Sequence, residues 1–125
     1  MPKASKSTAS HVEDYGVLEE RYDELDGYIA GFSHFREDAD ATELFKGLPE
    51  DRCQSPNWGY VIAGSLTFSY PDRDETYEAG DAYYGPPGHI PRVAAGTEVV
   101  EFSPSEEYRR TLAVLAENMA TAQRA

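Results

Sequence analysis

The sequence predicts an all-β domain, a barrel or sandwich, closed by a C-terminal α-helix. Three observations carry that prediction. The 125 residues allow one domain with one core. From residue 13 onward, short runs rich in aromatic and β-branched residues recur between Gly, Pro and Asp punctuation, the pattern of many short strands. After Pro104 the spacing changes: Tyr108, Leu112, Leu115, Met119 and Ala122 follow one another at steps of four and three, the stripe of an amphipathic helix.

The elements follow in order. Residues 1–12, mostly Ser, Lys, Thr and Ala, read as a disordered tail. Tyr15–Tyr22 and Tyr28–Arg36 read as strands, and the Asp-rich stretch Asp23–Gly27 between them predicts a hairpin. Glu37–Pro49 is polar loop with one helical turn near Thr42–Lys46. Trp58–Ala63 and Ser65–Tyr70 are strands bent about Gly64. Glu75–Glu78, Asp81–Tyr84, Ile90–Ala94 and Thr97–Phe102 complete the strand set, so the barrel spans 13–104. The helix takes 105–125, with Ser103 as its cap, Pro104 at its first position and Glu106 completing a capping box. Its stripe fits either the barrel's own surface or a dimer interface.

Charge narrows the partners. The chain holds 23 acidic and 11 basic residues, a net charge of −12. Such a chain is repelled by nucleic acid and by an anionic membrane surface. No run reaches the roughly 18 apolar residues of a membrane span, and Met1–Ser10 lacks the apolar segment of a secretory leader. The surplus is concentrated at 13–51, which reads as a solvated, solubilising surface. The single cysteine, Cys53, makes no internal disulfide and suits a reducing cytoplasm.

Two phrases of the sequence carry a resemblance. Gly80, Pro86 and Gly88 match the second motif of the cupin superfamily, G-x5-P-x-G-x2-H-x3-N, and Gly64 matches the end of the first, G-x5-H-x-H-x3/4-E-x6-G. With Tyr77-Glu78-Ala79-Gly80-Asp81-Ala82, the chain resembles small single-domain bacterial cupins. The resemblance implies a jelly-roll β-barrel and, in metal-bearing members, an inward set of three His and one Glu. Carried over position by position, those ligands fall on Asp51, Cys53, Asn57 and Pro91, none of them the motif residue. No cofactor is therefore favoured. Were an ion held, Asp51 carboxylate, Cys53 thiolate and His89, two residues from Pro91, would be its three ligands, for zinc, iron, nickel or manganese.

The expected function is binding of a small organic ligand inside the barrel. Alternation places Asn57, Gly59 and Val61 on one side of their strand, the interior side by resemblance. Gly59 leaves room there, and Cys53, His34, Tyr83 (or Tyr84) and Glu101 are the other polar contributors. An alternative is an enzyme of isomerase, cyclase or oxygenase type, using metal or, without it, His89 and Glu101 as base and acid. A third is a structural or interaction module. Cupins commonly pair through strands, so a homodimer is expected, with Tyr15–Tyr22 and Tyr28–Arg36 as the exchange elements.

Overall fold

The computed structural model describes residues 2–124, and the side chains of 2–121. Ten strands form two antiparallel sheets facing each other: β1 (His11–Asp14), β2 (Leu18–Leu25), β3 (Tyr28–Phe35), β4 (Ala39–Asp40), β5 (Asn57–Ala63), β6 (Ser65–Ser69), β7 (Asp74–Glu78), β8 (Ala82–Gly85), β9 (Ile90–Val93) and β10 (Glu98–Pro104). The first sheet runs β1-β2-β3-β10-β5-β8 and the second β4-β9-β6-β7. Helix α1 (Ser105–Arg124) follows β10 directly. Ala125 lies outside the described residues, as does the side chain of Ala122.

The hairpin forms as its sequence asks. Leu25 pairs with Tyr28, leaving Asp26-Gly27 as a two-residue loop with φ of 50° and 84°. Both residues in the left-handed region make a type I′ turn, whose twist matches that of the strands it joins. Gly64 acts differently from a hairpin bend. β5 and β6 belong to different sheets, so Gly64, at φ 80°, turns a corner between them. A Cβ there would fall 2.4 Å from the Thr97 hydroxyl. That hydroxyl stitches the corner, donating to Ser65 O and accepting from Ser65 N–H.

Three expectations need correction. Residues 1–12 are not all tail: His11 and Val12 belong to β1, which pairs with β2, and Lys6 reaches Glu98 at 2.9 Å. The polar composition hid a strand whose stability comes from its partner rather than its own apolar pattern. Ser103 and Pro104 are strand residues, paired with Ile29 and Tyr28. The helix starts at Ser105, as expected, but with strand residues rather than a cap before it, and the Ser105 N–H is taken by the Gly27 carbonyl. Finally, neither expected exchange strand, Tyr15–Tyr22 nor Tyr28–Arg36, is a free edge, because β2 is paired by β1 and β3, and β3 by β2 and β10.

Two apolar clusters support the interior. Val61, Leu66, Phe68, Tyr70, Tyr83, Val93 and Val99 fill the space between the sheets. Phe45, Leu48 and Cys53 pack beneath the helix, against Val114 and Leu115. Asn118 ties α1 down by donating to the carbonyls of Leu44 and Lys46. Helix α1 therefore closes the barrel of its own chain.

Candidate functional site

A cavity of ≈ 120 Å³ lies between the two sheets and beneath α1. Tyr108, Leu112, Leu115 and Met119, the predicted stripe, form its roof. Leu66, Phe68, Val93 and Val99 make apolar walls, and polar atoms enter at two places.

The first place is a buried relay of Asn57 on β5, His89 just before β9, and Ser103 on β10. Asn57 points inward from β5, as alternation requires. His89 Nδ1 lies 2.9 Å from the Pro86 carbonyl, which can only accept, so Nδ1 carries the proton. Nε2 is then an acceptor and takes Asn57 Nδ2–H at 3.1 Å. Asn57 Oδ1 in turn accepts from the Ser103 hydroxyl at 2.8 Å. The three side chains are 1–4% exposed. The imidazole also stacks on Phe68, ring centroids 4.1 Å apart, in space left by Gly85. Burial holds His89 neutral, pushing its pKa down to about 4.

The second place is a carboxyl pair. In register across the six-stranded sheet, Glu101 lies between Gly31 and Gly59. The ring of Tyr83 crosses Gly59, where a Cβ would stand 2.5 Å from the phenol, and its hydroxyl donates to Glu101 Oε2 at 2.5 Å. The room expected at Gly59 is thus filled by Tyr83. Glu20, two residues from buried Leu18 on β2, borders the same cavity. Burial pushes both carboxyls up to about 7, and for Glu20 the charge of Glu101 adds to the rise. Tyr108 from α1 closes over the pair, its hydroxyl pushed well above the usual tyrosine range by the same burial.

The remaining candidates fall elsewhere. His34 sits at the register position between Glu19 and Glu98, on the outer face, while its neighbour Ser33 points inward. Tyr84 is exposed, so Tyr83 is the interior member of that pair. His89 and Glu101 border one cavity, but each is held by other partners. Asp51 lies in an exposed turn at φ 56°, its carboxylate accepting from Gly47 N–H. Cys53 is bridged to His89 through backbone alone, and burial pushes its thiol up to about 11.

The proposed ligand set Asp51, Cys53 and His89 does not fit a metal ion. Asp51 lies in an exposed turn and does not line the cavity that Cys53 and His89 border, and both ring nitrogens of His89 are already engaged, by Pro86 and Asn57. Among the described residues, no three His, Cys, Asp or Glu side chains converge as a metal-holding group. Sequence reasoning missed Glu20, Tyr108 and Ser103. Alternation from Leu18 would have placed Glu20 inside, and the same rule would have put Ser103 beside Glu101.

These features define a cupin-type jelly-roll barrel with a roofed, polar-lined interior. Comparison with solved structures bears the fold out. The chain is similar to an RmlC-like cupin from Shewanella frigidimarina (TM-score 0.56, 18% identity, covering 83% of this chain and 91% of that one). It is also similar to the polyketide cyclase RemF from Streptomyces resistomycificus (0.58, 16%, 85% and 80%). A third likeness is to KdgF from Halomonas sp. (0.53, 20%, 75% and 86%). No family model matches the sequence, and no curated protein matches it. The chain thus has the cupin fold, and identities at this level speak for the fold alone. Among the described residues, no helix is long and apolar enough to cross a membrane.

Proposed function

We propose that this protein binds a small organic molecule in its barrel, without a three-His, one-Glu metal centre. The observation that carries this reading is the cavity itself: apolar on most sides, with Glu20 and Glu101 together at one wall. The ligand is an apolar body of a few carbons bearing a hydrogen-bond-donating head, an amine or hydroxyl, directed at the carboxyl pair. A cavity of ≈ 120 Å³ is smaller than the roughly 300–1,000 Å³ of pockets that take drug-sized ligands, which sets the size class. The lone free thiol suits a reducing compartment such as the cytoplasm.

Thermal unfolding of the whole chain with short amines, alcohols and carboxylates tests this. Donor-headed compounds are expected to raise Tm, by an amount corresponding to about 2.7 kcal/mol at a hundredfold excess over Kd. Glu101→Gln is expected to weaken the amine response most. Equal stabilisation by carboxylates, or none by any compound, overturns the assignment.

One observation favours a second reading, an acid–base enzyme. Two carboxyls poised near pH 7 in one cavity give one protonated and one ionised partner, the division that proton transfer at neutral pH needs. The likeness to a polyketide cyclase is compatible with such chemistry. Exchange of deuterium into the α-carbon of a bound ketone, abolished in both Glu20→Gln and Glu101→Gln, would favour catalysis over binding.

A further inference from the structure

A second, smaller space adjoins the cavity. In the register of the six-stranded sheet Glu101 has a glycine on each side, Gly31 on β3 and Gly59 on β5. Tyr83 fills the room over Gly59, whereas a Cβ at Gly31 would meet only the Cβ of Tyr22, at 3.7 Å. Over Gly31 lies a chamber of ≈ 10 Å³, room for about one water-sized group. Glu20, Ser33, Glu101 and Tyr108 border both this chamber and the larger cavity, so the two spaces adjoin.

The polar border of the chamber is made of oxygen. Ser103 completes it, and among the described residues no lysine, arginine or histidine reaches it. Those oxygens are biased towards accepting. The Pro86 carbonyl fixes the His89 tautomer, His89 Nε2 orients the Asn57 amide, and Asn57 Oδ1 takes the one proton of the Ser103 hydroxyl. Ser103 is left with lone pairs alone for any further partner. Glu101 Oε2 accepts from Tyr83, and Oε1 remains an acceptor. Ser33, opposite Glu20 across β2 and β3, is only 9% exposed, and its hydroxyl has no partner among the described residues. A buried hydroxyl left unpaired lowers stability, and a ligand atom that reaches it relieves that cost.

We propose that this chamber is the head-group subsite of the barrel and takes the ammonium of a primary alkylamine, whose chain lies in the adjoining cavity. The assignment rests on the reading of the barrel as a small-molecule site and narrows its ligand to one class. A primary ammonium carries three N–H donors for the acceptors Glu20, Glu101 and Ser103, whereas an alcohol brings one. Its charge is paired as soon as it is buried, because two carboxyls and no basic side chain face it. Room for one heavy atom excludes a secondary amine, which has carbon on both sides of its nitrogen. Gly31 sets that limit, since any side chain there would occupy the chamber.

n-Butylamine and diethylamine are isomers of the same charge, so they separate shape from electrostatics. Calorimetric titration of the whole chain at pH 7.5 should show n-butylamine binding at least about tenfold more tightly than diethylamine or n-butanol, a difference of one charge-assisted hydrogen bond. Gly31→Ala puts a methyl into the chamber at ordinary contact distance from its surroundings. It should keep the urea midpoint of the parent and lose n-butylamine affinity at least about tenfold. Ser33→Ala removes the unpaired hydroxyl without adding bulk and should weaken n-butylamine at least about threefold, a second test should Gly31→Ala not fold. Diethylamine or n-butanol bound as tightly as n-butylamine, or n-butylamine affinity unchanged in either folded variant, overturns the head-group assignment and leaves the small-molecule reading standing. Potassium chloride binding as tightly as n-butylamine overturns it too, by making the chamber a site for bare cations. If no compound binds, the small-molecule reading falls and this assignment falls with it.

Discussion

Replacing Glu101 by Gln should stabilise the protein above neutrality and leave it nearly unchanged in acid. Burial raises the Glu101 carboxyl from 4.5 to about 7. Between those values the folded state holds a proton that the unfolded chain has released. The contribution to stability is therefore complete below pH 4.5 and is lost as pH rises through 7. At about 1.4 kcal/mol per pH unit, the loss amounts to about 3 kcal/mol by pH 8. An amide at this position never ionises, and its oxygen still accepts the Tyr83 hydroxyl. The hydrogen bond from Tyr83 to the ionised carboxylate is already contained in that raised value. The expected net stabilisation is about 3 kcal/mol at pH 8 and close to zero at pH 4.5. Glu20 adds to the effect in the same direction, because the charge of Glu101 holds its pKa up. His89 has the opposite sign: lowered to about 4, it favours the fold above pH 6.5 and opposes it as pH falls. It is common to both proteins, so the difference between them isolates the carboxyl pair. Urea unfolding at the two pH values, followed by circular dichroism, measures this difference. A variant destabilised equally at both values would refute the reasoning, since the carboxyl would then be an ordinary packed polar group.

Three further outcomes follow from the site. Gly59→Ala puts a methyl 2.5 Å from the Tyr83 phenol and 2.8 Å from the Val100 carbonyl. It should cost about 2–4 kcal/mol in chemical unfolding through overpacking and loss of the Tyr83–Glu101 hydrogen bond, and an effect under about 1 kcal/mol would show that the crossing is slack. Asn57→Ala strands the Ser103 hydroxyl and His89 Nε2, both fully buried, and should cost about 3 kcal/mol. An unchanged midpoint there would mean the relay is not a support. Cys53, buried and held as a thiol, should react with a thiol reagent at pH 7.5 at least about 1,000-fold more slowly in the native protein than in urea; rapid native labelling would contradict that environment.

Local signals were the legible part of this chain. The Asp-rich stretch Asp23–Gly27 announced the hairpin, though β2 runs on to Leu25 and only Asp26-Gly27 make the type I′ turn. Alternation grouped Asn57 and Val61 on one side of their strand, the resemblance made that side the interior, and the helix stripe followed from its spacing. Features that depend on a neighbouring strand were hidden. β1 is polar, and nothing in His11–Asp14 reveals that β2 will take its hydrogen bonds. His34 and Ser33 are adjacent, so a one-residue uncertainty in register exchanged the inside residue for the outside one. Glu20 lies among other acids and was counted with the solvated surface, although Leu18 shares its face of the strand. The resemblance supplied the barrel, and the side-chain partners that disqualify Asp51, Cys53 and His89 as a ligand set appear only in three dimensions.

The position of β10 governs how the chain can fold. It is the last strand in the sequence, yet it sits between β3 and β5 in the middle of the larger sheet. The hairpin of β2 and β3 can form early, but its inner edge stays unpaired until β10 has been made. Until then β3 and β5, widely separated in sequence, have nothing to join them. Such topology is dominated by non-local pairing and folds slowly, in milliseconds to seconds. During synthesis the exposed β3 edge is unprotected, which makes the nascent chain vulnerable to aggregation until its final strand and the helix beyond it emerge.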